Sequence, residues 1–479
     1  FDWFLITADE DAVTGSVPCV MTITAGTDEY PYQVVENIAL ELTLSQSGFP
    51  LEPIIVKSSP IVADLDADGY KEIFFGSDNN LLHGYNSYGQ ELAGFPFQST
   101  DRVRSSPAIG DVDNDGEMEI VFGNSSGKLY IINKDGSQQL AYTQLGFVEG
   151  APALVDIDGD QDLEIIFTTT TGSGGQVYVI HHNGITESGF PKEIGSMWAG
   201  PAVHDLDNDG MVDVVCVTYD KEIYAIEAIG GAIKSGFPFT AESRFSMPAT
   251  IVDVDSDGDY EIAAGCNSGD LYILHHDGSI HAQYNTGDDI RGGISVCDLN
   301  NDGQLDLLFG GYDDRIHVWD PMAGELLPGW PVDLGYNSLS EPVIADLDGD
   351  GQVEVLAARK TGKIFAYESD GTLMGNFPIP VDGSIESSPA IEDIDNDGDL
   401  ELIIGTTTGL EVIDIKFDAE LMDSWSMYRG NMHRTGVYDA SVMALDGPES
   451  IIPTQFYVCL LYTSPSPRDL STSRMPSSA

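Results

Sequence analysis

The chain is short of basic residues. Its 479 residues include 20 Lys and Arg against 79 Asp and Glu, which gives a formal net charge of −59. Nucleic acids and anionic membrane surfaces are recognised through basic patches, so neither is expected as a partner. The sequence also has no uninterrupted apolar run long enough to span a bilayer, and we expect no membrane insertion.

Cysteine and enzyme motifs are scarce as well. Of the five cysteines, Cys216, Cys266 and Cys297 lie in or beside strand-like runs without metal-type spacing. This predicts buried free thiols, with a Cys266–Cys297 disulfide as the alternative.

The sequence has no Ser-His-Asp spacing, Walker loop, dinucleotide fingerprint or His-Glu-x-x-His motif. These gaps argue against the enzyme classes that depend on such motifs.

One acidic loop, in contrast, occurs eight times. At intervals of 45 to 49 residues the sequence reads Asp-x-Asp-x-Asp-Gly-x-x-Glu, or a close variant, ahead of an apolar run. The copies begin at Asp64, Asp111, Asp156, Asp205, Asp253, Asp298, Asp346 and Asp393. Four short strands and their turns fill each period, a pattern typical of a β-propeller blade. We predict an all-β, eight-bladed β-propeller of four-stranded blades; seven blades plus a degenerate unit are the alternative.

A recurrent Gly-Phe-Pro phrase predicts the fourth strands and the closure of the ring. It occurs at Gly94-Phe95-Pro96 and in later repeats, and Gly146-Phe147 stands in its place in the second repeat. The same phrase at Gly48-Phe49-Pro50 precedes the first loop, so residues 46–56 are expected to supply the closing strand. The alternative is that the last blade uses its own Trp425-Ser426-Met427.

The loops have the chemistry of calcium sites. Ca²⁺ takes six to eight oxygen ligands, and four acids within nine residues repel one another unless a cation lies among them. Positions one, three and five aim side chains inward, glycine at position six allows the turn, and an acid at position nine completes the shell. We predict up to eight structural Ca²⁺ ions and no other cofactor. The predicted ligands are Asp64, Asp66, Asp68, Glu72, Asp111, Asp113, Asp115, Glu119, Asp156, Asp158, Asp160, Glu164, Asp205, Asp207, Asp209, Asp213, Asp253, Asp255, Asp257, Glu261, Asp298, Asn300, Asp302, Asp306, Asp346, Asp348, Asp350, Glu354, Asp393, Asp395, Asp397 and Glu401.

Two loops depart from the pattern and are expected to bind most weakly. The third loop has Gln161 where glycine is expected, and a side chain at positive φ costs on the order of 1 kcal/mol. The sixth has Asn300 in place of a carboxylate. The pairs His181-His182 and His275-His276 stand at equivalent places before a turn, which favours hairpin geometry over a zinc site.

The segments outside the repeats differ in pattern. Residues 1–45 alternate as in the C-terminal fragment of an Ig-like β module, and residues 46–438 form the predicted propeller. Residues 439–458 are expected to link to a C-terminal sorting tail. Residues 459–479 resemble the translation of a sequencing-library adapter and are expected to be disordered. Because the chain begins at Phe1 without a signal peptide, we expect it to be part of a longer protein.

The repeats resemble FG-GAP repeats, which occur in integrin α-subunit propellers and in related bacterial VCBS-type repeats. The resemblance rests on the acidic loops, on Phe-Gly pairs such as Phe75-Gly76 and Phe122-Gly123, and on Gly150-Ala151-Pro152. Ser-Ser-Pro mostly replaces Gly-Ala-Pro, as in the bacterial branch, and the phrase beginning at Trp425 is similar to the end of bacterial arrays. The resemblance implies a secreted or cell-surface bacterial protein, with the propeller covalently part of a multidomain chain.

We expect a binding or adhesion module rather than an enzyme, and we predict no catalytic residue. Loops that differ between repeats suit recognition of a glycan or a cell-surface protein. Trp198, Trp319 and Trp330 are candidates for stacking on sugars.

Two alternatives remain open. The first is a polysaccharide lyase, because eight-bladed calcium propellers also occur in rhamnogalacturonan lyases. Such an enzyme needs basic residues near the channel, and the candidates are Arg102, Arg104, Arg244 and Arg291. The second is a non-catalytic accessory module of a secreted protease.

Overall fold

Small antiparallel sheets arranged in a ring dominate the computed structural model of the chain. The structure describes residues 15–27, 30–42, 44–144, 146–172, 174–418 and 425–438. Every regular element in these ranges is a β-strand, which confirms the all-β class. The same ranges contain no helix of the length and apolarity needed to cross a membrane.

The first two strands form a sheet of their own. Strands β1 (Gly15–Thr27) and β2 (Tyr30–Leu42) pair antiparallel, with Gly15 opposite Leu42 and Thr27 opposite Tyr30. The Ig-like assignment of residues 1–45 stays a prediction. The linker at 439–458 and the adapter-like tail at 459–479 lie outside the described residues.

The first four blades each contain four strands in chain order. Blade 1 comprises β3 (Ile61–Ala63), β4 (Glu72–Gly76), β5 (Leu81–Tyr85) and β6 (Phe97–Gln98). Blade 2 comprises β7 (Ala108–Gly110), β8 (Glu119–Gly123), β9 (Lys128–Asn133) and β10 (Gln138–Thr143). Blade 3 comprises β11 (Ala153–Val155), β12 (Glu164–Thr168), β13 (Gln176–Ile180) and β14 (Lys192–Glu193). Blade 4 comprises β15 (Ala202–His204), β16 (Asp213–Val217), β17 (Glu222–Glu227) and β18 (Phe239–Thr240).

The remaining blades repeat this order with local additions. Blade 5 comprises β19 (Thr250–Val252), β20 (Glu261–Gly265), β21 (Asp270–Leu274) and β22 (Ile280–Asn285). Blade 6 comprises β23 (Ile290–Cys297), β24 (Asp306–Gly311), β25 (Arg315–Asp320), β26 (Glu325–Leu326) and β27 (Val332–Asp333). Blade 7 comprises β28 (Val343–Ala345), β29 (Glu354–Arg359), β30 (Lys363–Tyr367) and β31 (Ile379–Pro380). Blade 8 has β32 (Ala390–Glu392), β33 (Asp399–Gly405) and β34 (Leu410–Asp418), and a final strand β35 (Val437–Tyr438) pairs with β19.

The eight blades close into a ring. The first strand of each blade contacts the first strand of both neighbouring blades, from β3 through β32 and back to β3. The fourth strand of blade 8 comes from the start of the propeller: Leu51 N donates to Leu410 O at 3.0 Å, and Gln46 N donates to Val412 O at 2.9 Å. The eight-bladed prediction is therefore confirmed, with residues 46–56 containing the closing strand as expected.

The alternative closing segment lies elsewhere, at the ring axis. Residues 425–438, here called the axial segment, accept backbone hydrogen bonds from the first strands of six blades. These bonds run from Ile344 to Trp425, Ile391 to Ser426, Ile109 to Met432, Leu154 to His433, Val203 to Thr435 and Ile251 to Gly436, at 2.9–3.0 Å. The idea that Trp425-Ser426-Met427 completes the last blade is therefore wrong. Innermost N–H groups that face the axis need acceptors, and the axial segment supplies them.

One predicted fourth strand is also misplaced. In blade 2 the strand is β10, which follows the Asp135-Gly136 turn directly, so Gly146-Phe147 lies beyond it. Phe147 instead forms a bridge with Thr170 of blade 3. The Gly-Phe-Pro phrase precedes the fourth strand only in blades where a longer segment separates the third strand from the fourth.

The core lies within and between the blades. Trp319 and Trp330 are buried there, whereas Trp198 is 40% exposed, so only Trp198 of the three predicted sugar-stacking residues is available to a ligand. Cys216, Cys266 and Cys297 are buried and free, and the prediction of free thiols is confirmed. Burial raises the pKa of the Cys216 thiol well above its ordinary value.

Candidate metal sites

All eight acidic loops lie at the same end of the ring. Each loop joins the first strand of a blade to the second, and consecutive strands run antiparallel. The first-to-second and third-to-fourth turns therefore share one face, here called the loop face. The second-to-third turns and the links between blades lie on the opposite face.

The position-nine acid fastens each loop to its blade. In all eight copies one of its carboxylate oxygens accepts a hydrogen bond from the backbone N–H of position two, as in Leu65 to Glu72 at 2.9 Å and Leu347 to Glu354 at 2.7 Å. The other pairs are Val112–Glu119, Ile157–Glu164, Leu206–Asp213, Val254–Glu261, Leu299–Asp306 and Ile394–Glu401. The apolar position-two side chain packs into the blade core, so the loop and the core fix each other.

The position-one acid organises the turn. Asp64 accepts from the N–H groups of Asp68 at 3.2 Å and Gly69 at 2.9 Å, and the other loops repeat the bond to the position-six N–H. Gln161 has φ +77, the left-handed conformation that the sequence implied. Position four is left-handed too, for example Asn114 at φ +54. The Asn and Gly residues that are common at position four indicate this left-handed conformation, which the sequence analysis did not predict.

Burial perturbs the position-nine acids strongly. Desolvation, with a smaller contribution from neighbouring loop aspartates, raises the pKa of Glu119, Glu354 and Glu401 to about 8, against ordinary values near 4.5. The same cause raises the pKa of Glu72, Glu164, Glu261 and Asp306 to about 7. A carboxylate in such a place ionises readily only when a positive charge is close.

Several loop oxygens are suited to such a charge. Glu354 Oε1, Glu401 Oε1 and Asp113 Oδ1 are buried and have no hydrogen-bond partner in the described part of the chain. In the first two loops, oxygens of Asp64, Asp66 and Glu72, and of Asp111, Asp113 and Glu119, lie within 4.8 Å of one another. An unpartnered buried oxygen costs about 1–3 kcal/mol, and a hard divalent cation removes that penalty. The acidic clusters can therefore hold a metal ion.

A side chain from the outer part of the blade reaches the position-three acid, and its chemistry changes from blade to blade. In blade 2, Gln139 Nε2 donates to Asp113 Oδ2 at 2.8 Å, and in blade 8, Gln46 Nε2 donates to Asp395 Oδ2 at 2.6 Å. In blade 5, His281 Nδ1 lies 3.8 Å from Asp255 Oδ2. The repeats thus share the acidic loop but differ in the side chain that lies beside its position-three acid.

Blade 4 places an ammonium group inside its own loop. Lys234 Nζ lies 2.8 Å from Asp207 Oδ2 and 2.7 Å from Asp213 Oδ2. Despite this partner, burial raises the pKa of Asp213 to about 6. This contact could not be predicted from the sequence, because Lys234 follows a Gly-Gly turn that makes its spacing unlike that of the other blades.

The histidines that precede the blade 3 and blade 5 turns contact position-nine acids. His181 Nδ1 lies 2.8 Å from Glu164 Oε1, and His275 Nδ1 lies 3.1 Å from Glu261 Oε1. His182 and His276 point to acids at position seven, Asp162 and Asp259. The expected hairpin geometry is present, since His181 N donates to Ile185 O and His275 N to Ser279 O across the turns.

The opposite face carries a row of exposed and half-buried rings and arginines. Phe147 and Trp198 have ring centroids 6.4 Å apart, and Trp198 and Tyr219 are also 6.4 Å apart. Arg244 covers the Tyr219 ring at 5.1 Å, and Arg291 covers the Tyr312 ring at 5.1 Å. These six residues, from the blade 2–3 link to blade 6, are here called the aromatic–arginine track.

The track is continuous at its centre. With the Asn267 amide oriented to satisfy its neighbours, its oxygen accepts from Arg244 Nε at 3.0 Å and from Arg291 Nη2 at 2.9 Å. Arg104, in contrast, forms a bidentate pair with Asp78 in blade 1. Three of the four arginines considered for a lyase therefore have their partners outside the channel, which the axial segment occupies.

A protein-family model described as an FG-GAP-like repeat matches residues 64–122, 156–216, 253–309, 298–357 and 346–404, together more than half of the chain. No curated protein matches. Each matched segment begins at position one of an acidic loop and ends in the strand that follows the next acidic loop.

Solved structures share the architecture at low identity. The Vibrio cholerae biofilm matrix protein Bap1 is 15% identical, with 83% of this chain and 95% of that one covered and a TM-score of 0.59. Saccharomyces cerevisiae Sqt1 is 14% identical, with 77% and 98% covered and a TM-score of 0.60. Quinohemoprotein alcohol dehydrogenase from Comamonas testosteroni is 13% identical, with 79% and 76% covered and a TM-score of 0.54. At these identities the likeness concerns the fold alone.

Proposed function

The chain belongs to the FG-GAP-like repeat family, and from this premise we propose that it is a calcium-stabilised binding module of a larger secreted or cell-surface bacterial protein. The module recognises a glycan through the aromatic–arginine track. Calcium, held by the loop carboxylates, lowers the negative charge of the loop face and fastens the blades without touching the ligand. The track is the observation that carries this proposal.

The track suits a sugar chain for chemical reasons. Exposed aromatic rings stack on the apolar faces of sugars, and guanidinium and amide groups donate hydrogen bonds to hydroxyl and carboxylate oxygens. Phe147 is 43% exposed, Trp198 40% and Tyr312 38%. Arg244 has no carboxylate within ion-pair distance among the described residues, so its guanidinium is available to a ligand.

Replacing Trp198 by Ala is expected to weaken glycan binding at least about tenfold, which corresponds to about 1.4 kcal/mol. Trp198 lies in the middle of the ring row, so its loss separates Phe147 from Tyr219. Binding is measured on a glycan array and then by titration with the retained glycan, in calcium. Tyr88→Ala is the control, because Tyr88 is 48% exposed but lies on the loop face. Equal losses in both variants would contradict the proposal.

A polysaccharide lyase remains the second candidate, and the same array separates the two. Release of unsaturated products from a pectic polymer favours the lyase, whereas retention of an unchanged glycan favours the binding module. The occupied axis supports the binding module, since channel chemistry would need room for substrate where Trp425 and Arg429 are buried. An accessory module of a secreted protease would bind in the same way.

Lys234 is expected to keep the fourth loop free of calcium. Its ammonium lies between the position-three and position-nine acids, where a cation would otherwise bind. Lys234→Met removes the charge, retains most of the apolar stem and is expected to raise the calcium stoichiometry by one in equilibrium dialysis. Lys134→Met is the control, because Lys134 pairs with Glu117, which is not a predicted ligand. An unchanged count in the Lys234 variant would show that the loop binds calcium beside the lysine.

A further inference from the structure

Two imidazole rings face each other beside the acidic loop of blade 5. His275 follows β21 and His281 lies on β22, so the Asp277-Gly278 turn brings them to the same place. His275 Nε2 and His281 Nδ1 are 3.3 Å apart, with ring centroids 4.7 Å apart and planes at 77°. The two nitrogens are therefore close enough to bind the same ion at one point between them.

Carboxylates surround this point in two different roles. Glu261, which is fully buried, lies 3.1 Å from the far nitrogen of His275 and orients the ring. Asp255 Oδ2 lies 3.8 Å from His281 Nδ1 and can serve as a third ligand. His275 and His281 have side-chain exposures of 33% and 15%, so an ion reaches the point from solvent.

The separation of the two histidine nitrogens matches a tetrahedral transition-metal site. Zinc binds histidine nitrogen at about 2.0–2.1 Å, so two ligands of a tetrahedral ion lie about 3.3–3.4 Å apart. A carboxylate on the far nitrogen of a ligating histidine is the usual outer partner of such sites. The hard-oxygen loops favour calcium, whereas imidazole nitrogen favours zinc and its neighbours in the periodic table.

We propose that His275, His281 and Asp255 bind a Zn²⁺-class ion, with Glu261 orienting His275 and a fourth position open to water. Asp255 is also position three of the fifth loop. Its two carboxylate oxygens allow one to face the loop while Oδ2 faces His281. The site shares Asp255 and Glu261 with the fifth loop, so zinc binding is measured at saturating calcium; the site gives one blade a second kind of metal chemistry.

Other blades carry the same frame with different side chains. Blade 3 has His181 at the place of His275, but the residue six positions later is Glu187, whose Oε2 lies 3.3 Å from His181 Nε2. Blade 2 has Asn133 and Gln139 at these places. Blade 5 is therefore the copy in which the hairpin pairs two imidazoles, and its neighbours supply matched controls.

The test uses the tag-free full chain, saturated with calcium and titrated with Zn²⁺ by calorimetry and with Co²⁺ by visible absorption. We expect one zinc equivalent and a tetrahedral cobalt band. His281→Gln installs the side chain that blade 2 carries here and is expected to weaken zinc binding at least about tenfold. His276→Gln, whose ring points to Asp259 instead, is expected to leave it unchanged.

A gain-of-site variant separates ligand chemistry from folding. Glu187→His places a second imidazole opposite His181 in blade 3 and is expected to add one zinc equivalent. If the wild type binds no zinc in calcium, the histidines form a hydrogen-bonded pair only, and the proposal is overturned. Zinc binding that survives His281→Gln would overturn it equally. Neither result bears on calcium binding, which is measured separately.

Discussion

Chelation of calcium is expected to lower the melting temperature of the propeller by on the order of 10–20 °C. A site at ten times its Kd adds about 1.4 kcal/mol, so seven independent sites add about 10 kcal/mol, a sum comparable to the net stability of a domain. Seven sites are counted because Lys234 is expected to keep the fourth loop free of calcium. Melting is followed by calorimetry in calcium and in EDTA.

Magnesium provides the ion control for this experiment. Flexible shells of protein oxygens suit the larger ion, so magnesium added after EDTA is expected to restore less of the lost stability than calcium does. An identical transition in calcium and in EDTA would rule out a structural role for the ion. The third and sixth loops, with Gln161 and Asn300, are expected to fill last.

The pH dependence of the calcium-free protein follows from the same carboxyl groups. Burial raises the pKa of Glu119, Glu354 and Glu401 to about 8 in the folded chain, against about 4.3 for an unfolded glutamate. Between these values the folded state binds more protons than the unfolded state. The free energy of unfolding in EDTA is therefore expected to fall as pH rises from about 5 to about 8.

Calcium is expected to reverse that slope, because it binds the ionised carboxylates and its affinity rises with pH. Urea midpoints at about pH 5.5 and about pH 8, each in EDTA and in calcium, give the four values needed. A flat or rising profile in EDTA would show that the position-nine acids stay ionised without an ion.

The fold was predictable because its information is local and repeated. A loop of nine residues recurs in phase with short apolar strands, and each copy specifies the same turn. The closing strand was predictable for a similar reason: Gly48-Phe49-Pro50 copies a phrase whose place in the repeat is known. The predicted ligands of each loop are adjacent in sequence, so their grouping required no long-range information.

The axial segment and Lys234 were not predictable by the same reasoning. The axial segment binds backbone groups up to several hundred residues away, and backbone acceptors leave no pattern in a sequence. One trace exists: Ser340-Glu341-Pro342 stands where other repeats have Ser-Ser-Pro, as at Ser387-Ser388-Pro389. Together with Gly292-Gly293 in the preceding repeat, this sequence marks a place where the contact between neighbouring blades differs from that in the other repeats.

Glu341 and Gly293, the two departures from the repeat, lie in contact with each other. Glu341 is fully buried and accepts from Trp425 Nε1 at 2.6 Å and from Arg429 N at 2.7 Å. A side chain at residue 293 would put its Cβ 2.1 Å from Glu341 Oε2, so glycine is required there. In other repeats the serine at this position joins neighbouring blades; for example, Ser59 N donates to Ser106 Oγ. Here Glu341 replaces that serine and accepts hydrogen bonds from the axial segment.

The arginines of the axial segment bind the blades directly. Arg434 Nε donates to Pro107 O at 3.0 Å and Arg434 Nη2 to Pro60 O at 2.9 Å, while Nη1 donates to Tyr428 O. Arg429 reaches Ala249 O at 2.6 Å and Pro201 O at 3.1 Å. The two guanidinium groups therefore join blades 1, 2, 4 and 5 at the axis.

Replacing Arg434 by Met is expected to lower the free energy of unfolding by about 3–5 kcal/mol. The change keeps most of the buried volume but leaves the Pro60 and Pro107 carbonyls without their donor, and removes a positive charge from the surroundings of Glu341. Urea midpoints in calcium measure the effect. Arg102→Met is the control, since Arg102 is exposed and its ion pair with Asp101 is 3.9 Å long; we expect a change within about 0.5 kcal/mol. If the two variants unfold at the same midpoint, the axial segment merely fills the channel and does not hold the blades together.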